Sequence, residues 1–118
     1  MYDQEIKELA ADIENAEKHL VLADALKRLQ DNADFKKLIL DEFLVTYAAG
    51  LVRSKAMEAL KDADNQAYIS REIDAVGFFN KFLNHIMVQG NMALETKEVA
   101  EATIESLRAS INVEDKEV

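Results

Sequence analysis

The side chains with the most chemical potential are few: His19 and His85, the carboxylates Glu42, Glu72 and Asp74 within otherwise apolar stretches, and Ser54, Ser70, Ser106 and Ser110. A metal site built on helices needs carboxylates and histidines three or four residues apart, as in Glu-x-x-His or His-Glu-x-x-His. Neither histidine has that spacing, and the three carboxylates do not form a helical set. His85 continues the line of Ala75, Phe78 and Phe82, which predicts a histidine at the edge of a core, and His19 borders a narrow apolar seam, which predicts half exposure. A nucleophilic serine needs a poised base and a strained turn, whereas all four serines lie in helical pattern. Gly50, Gly77 and Gly90 are isolated in apolar helical stretches and form no phosphate-cradling loop, and the absence of cysteine removes thiolate and zinc-thiolate chemistry. The expectation is therefore a protein that is not an enzyme and holds neither a metal nor a cofactor.

The elements that carry these residues follow from composition. Among 118 residues there is no proline, and there are three glycines; 49% of the chain is hydrophobic. Helix formers dominate, and no run of β-branched residues alternates with period two, so the fold class is all-α. The expected architecture is an antiparallel bundle of three long helices forming a single domain over residues 1–112, with a frayed acidic tail over 113–118. The net charge of -9 is uneven. Residues 1–34 carry nine acids and four bases and residues 91–118 seven acids and three bases, whereas residues 35–90 balance and contain all five phenylalanines. Such a charge argues against direct nucleic-acid binding. No apolar run reaches the roughly 18 residues that cross a bilayer, and no basic stretch followed by an apolar one opens the chain, so neither a membrane span nor a secretory signal is expected.

Along the chain, Ile6, Leu9, Ile13, Ala16, Leu20 and Ala23 recur at steps of three and four, a coiled-coil seam in a first helix over about residues 3–30. Leu26 and Leu29 then follow at steps of three, the stammer that shifts such a seam sideways. Asn32 or Asp34 caps a second helix running to about Lys61. Its apolar residues point in nearly every direction at an α-helical period, with one polar line through Glu42, Thr46 and Arg53 that reads as a solvated strip, and Gly50 reads as a close helix crossing. Asp64 or Asn65 caps a third helix whose stripe is Ile69, Ile73, Val76, Phe79, Leu83, Ile86 and Met87. Gly77 lies where a partner helix would approach. Near Gly90 this helix either bends or breaks into a fourth, and the apolar line resumes as Ala100, Ile104, Leu107 and Ile111.

The run Asn32-Ala33-Asp34-Phe35 with Leu38-Ile39 and Phe43-Leu44, followed by Ile73-Asp74-Ala75-Val76-Gly77 and Gly90-Asn91-Met92-Ala93, resembles small, uncharacterised all-helical proteins of tailed bacteriophages over about residues 20–95. The resemblance implies a phage setting and assigns no functional residue. It implies either a virion or assembly component or a small factor acting in the infected cell, in the host cytoplasm during infection or in the virion. As a structural protein the chain would associate with itself or dock on another virion protein. The surplus of apolar surface on the second and third helices adds the expectation of a homo-oligomer, with Leu44, Tyr47, Phe78 and Phe82 as candidate interface residues. The alternative is a small acidic inhibitor or adaptor that binds a basic host protein.

Overall fold

A computed structural model describes residues 2–117, and side chains up to Val113. The fold is all-α: α1 spans Asp3–Gln30, the short α2 Ala33–Phe35, a π-helix Lys36–Tyr47, α3 Ala48–Lys55, a 3-10 turn Glu58–Leu60, and α4 Ala63–Glu117. The chain forms two compact units, residues 26–85 and the pairing of residues 1–25 with 86–118. They are called here the central unit and the acidic unit.

In the acidic unit, α1 and α4 pair antiparallel. The buried and half-buried positions of α1 step from Ile6 through Leu9, Ile13 and Ala16 to Ala23, and those of α4 from Ile86 through Gly90, Ala93, Lys97, Ala100, Ile104 and Leu107 to Ile111. Alternating steps of three and four keep one stripe of each helix facing the other. The most tightly buried positions of the seam are small: Ala16, Ala23, Ala93 and Ala100 are each at most 5% exposed, and Gly90 is buried against Ala23. Lys97 Nζ crosses the seam to Glu17 Oε1 at 3.6 Å. Acidic Asp3 and Glu5 in the first turn of α1 and basic Lys27 and Arg28 in its last complement the helix dipole. Gly90 has helical geometry rather than a left-handed cap, so α4 neither breaks nor ends there. The helix continues to Glu117, through most of the expected acidic tail; Val118 lies outside the described residues.

In the central unit, two arms fold back on each other. Asn32 opens the first: its Oδ1 accepts from Phe35 N at 3.0 Å, which selects Asn32 over Asp34 as the cap. The π-helix that follows explains why an α-helical wheel scattered the apolar residues in all directions. With i→i+5 hydrogen bonds a turn takes roughly 4.4 residues. Phe35, Ile39 with Leu40, Phe43 with Leu44, and Ala48 recur at steps of four and five and are the half-buried positions of this arm. The Thr46 hydroxyl likewise reaches back five residues, donating to the Asp41 carbonyl at 3.4 Å. Behind this face Leu51, Ile69 and Val76 form a buried cluster, flanked by Phe43, Leu44, Ala48, Leu60 and Ile73. Phe43 packs edge-on against Phe79 with centroids 5.7 Å apart and stacks on Tyr47 at 5.9 Å.

Four expectations need correction. The first arm stops at Lys55, not near Lys61, because Met57 turns to extended geometry and returns Leu60 to the cluster, while Gln66 Nε2 donates to the Lys55 and Leu60 carbonyls at 3.0 and 2.7 Å. The cap of α4 is Asp62, not Asp64 or Asn65: its carboxylate accepts from Asn65 N at 3.1 Å and from Asn65 Nδ2 at 2.7 Å. Leu26 lies on the buried stripe, one step of three after Ala23, but Leu29 is 45% exposed and the stripe ends on half-buried Gln30. His85 is exposed and belongs to no core edge, whereas His19 is half-buried as expected.

Candidate interaction surface

None of the groups tested for chemistry converges on another. Among the described residues no cluster of histidines and carboxylates is placed to hold a metal ion. Glu42 is exposed and makes no ion pair with Arg53, consistent with a solvated strip. Glu72 is engaged by tyrosines: Tyr47 donates to its Oε2 at 3.4 Å, and a hydrogen bond from Tyr68, together with the carboxylate's charge, pushes the Tyr68 phenol above its ordinary range. Ser54 donates to the Gly50 carbonyl at 2.9 Å and Ser110 to the Ser106 carbonyl at 3.1 Å, local bonds that leave no poised base. His19 lines a shallow polar hollow of the acidic unit with Asp12, Asn15 and Gln89, and no third ligand stands beside it. No helix among the described residues is long and apolar enough to cross a membrane.

What the geometry offers instead is an open apolar groove of about 520 Å³ in the central unit. Leu40, Leu44, Val45, Ala48 and Val52 form one wall. Ile73, Val76, Gly77 and Asn80 of α4 form the other, so no ionisable group lines it. The two halves of its first wall arise from the helix change at Tyr47: the π-helix presents Leu40, Leu44 and Val45, and α3 presents Ala48 and Val52. Val45 and Val52 stand at its lip, 62% and 60% exposed.

The four candidate interface residues all fall in the central unit but do not form one patch. Leu44 is half-buried between the core cluster and the groove. Tyr47 belongs to a separate hollow with Glu42, Thr46 and Gly50, and is 45% exposed. Phe78 and Phe82 are 68% and 57% exposed and line neither concavity. Sequence reasoning missed Val45, Val52 and Asn80; the available signal was the seven-residue spacing of two valines with no buried counterpart. Compared with family models, curated proteins and solved structures, the chain matches none.

Proposed function

We propose that this chain is a non-enzymatic structural or assembly protein of a tailed phage, acting through helix-to-helix contacts with copies of itself or by docking on another virion protein. One observation carries the self-association part. In the central unit nine large apolar side chains, from Leu29 and Leu38 to Phe78 and Phe82, are at least 45% exposed, against five buried hydrophobic ones, Leu26, Leu51, Ile69, Val76 and Leu83. So much exposed apolar surface in one unit supports a surface that is covered in use. The antiparallel order of three long helices belongs to the same reading, with the surface that the helices leave uncovered as the working one. The phage setting rests on the resemblance of residues 20–95, and its implied location is the host cytoplasm during infection or the virion.

Light scattering on the purified chain, with Phe78→Ser and Phe82→Ser alongside, tests the association, and a wild type that stays monomeric at micromolar concentration refutes it. Mass spectrometry of purified virions tests the structural role: the protein should be recovered with the particle.

A second reading, an acidic inhibitor or adaptor for a basic host protein, is favoured by one feature. The acidic unit carries 14 acids and five bases, the whole net charge of -9. Affinity capture from infected cells that returns a stoichiometric basic host protein, together with absence from virions, would select it.

A further inference from the structure

The central unit contains nine acids and nine bases, so two copies can bring these units together without net repulsion, which the acidic units would oppose. In the α4 wall of its uncharged groove stands Gly77. A Cβ built there would meet no atom within 4 Å, so nothing in the chain itself requires a glycine that weakens the interior of α4. Asp74 and Lys81 flank it, seven residues apart and so on one face of the helix. Both are exposed, and neither makes an ion pair among the described residues. A two-fold axis through the Gly77–Phe78 peptide exchanges position 74 with position 81, and beside that axis Phe78, at 68%, is the most exposed large hydrophobic side chain described.

We propose that two copies of this chain pack α4 against α4 antiparallel across such an axis, crossing closely at Gly77, with Asp74 of each copy opposite Lys81 of the second. This rests on the self-association reading above and adds its face and geometry. The contact is isologous: one surface serves both copies, the Asp74–Lys81 pair forms twice, and the valine lip of each groove flanks the crossing. A basic or acidic partner gains nothing from a groove without ionisable lining, whereas a second copy supplies both the apolar helix face and the matching charges.

The test is sedimentation equilibrium of the full chain as wild type, Asp74→Lys and Lys81→Asp, each alone and the two variants mixed. A single reversal places like charges together twice across the axis and should weaken association about tenfold. Mixing the two variants makes both cross-copy pairs opposite again and should recover wild-type affinity, while circular dichroism confirms unchanged helix content. Gly77→Ala should weaken association yet raise the thermal midpoint of the dilute monomer. A wild type that associates with an affinity neither reversal changes, or a mixture that does not recover, overturns the proposed face while self-association stands. A wild type that stays monomeric at micromolar concentration overturns both.

Discussion

Replacing Gly90 by alanine sets two opposed effects against each other at one atom. In the interior of a long helix the change favours folding by up to about 1 kcal/mol, because glycine loses more backbone freedom than alanine. Here the added methyl would collide with the Ala23 Cβ, and it would lie 3.8 Å from the Ala23 Cα and 4.0 Å from the His19 carbonyl oxygen. An alanine methyl cannot rotate away, so α1 and α4 must separate along a seam whose tightest members are alanines already less than 6% exposed. Overpacking of this kind costs about 1–3 kcal/mol. The net expectation is a loss of about 1–2 kcal/mol, read as a lower midpoint in urea unfolding followed by circular dichroism at 222 nm. Gly50→Ala is the control, since a Cβ there meets only the movable Arg53 guanidinium at 4.0 Å, and it should gain a few tenths to about 1 kcal/mol. The double change Gly90→Ala with Ala23→Gly moves the space to the other helix and should recover part of the loss. A Gly90→Ala variant as stable as Gly50→Ala would refute the close crossing.

Loss of the Asn32 cap in Asn32→Ala should destabilise the first arm of the central unit by about 1 kcal/mol, visible in the same unfolding assay. Asp62 is a pH-dependent cap. Hydrogen bonds from the Asn65 side chain and backbone hold its carboxyl below the usual value of 3.8, so the stability it contributes is present above that value and is lost as pH falls through its folded pKa. An acid titration of helicity should show this loss in the wild type and not in Asp62→Asn. Tyr68 behaves oppositely: its pKa is raised above 10.0, so its hydrogen bond to Glu72 stabilises below the unfolded value and is lost as pH rises through the folded one. Ultraviolet titration of the phenolate should show a late-ionising tyrosine that Glu72→Gln returns toward the ordinary range.

The long third stripe was legible because a heptad repeat leaves its mark on sequence wherever two helices pair: Ile69 through Leu83 and Ala100 through Ile111 are all buried or half-buried. The stammer at Leu26 was legible for the same reason, and its false continuation to Leu29 shows the limit, because helix ends are set by neighbours. Lys55 to Lys61 consists of good helix formers, and only the return of Leu60 to the core and the reach of Gln66 to two carbonyls end the arm early. The π-helix was hidden because steps of four and five have no accepted place on an α-helical wheel. The glycines exchanged meanings: Gly50 was expected at the crossing and stands open, whereas Gly90, expected to bend or end a helix, is the crossing. Composition alone cannot decide which face of a helix another helix occupies. The candidate surface was legible only to the level of its segment, since Leu44 lines the groove while Tyr47, Phe78 and Phe82 stand outside it.

The alanine seam gives the two units different responses to temperature. Methyl groups release little hydration on burial, so holding Ala16, Ala23, Ala93 and Ala100 together depends on close-range dispersion and adds little to the heat capacity of unfolding. The leucines, isoleucines and phenylalanines of the central unit owe more to expelled water, a contribution that fades on cooling. As the protein is chilled, the contacts of the central unit should therefore weaken before the alanine-lined part of the α1–α4 seam does.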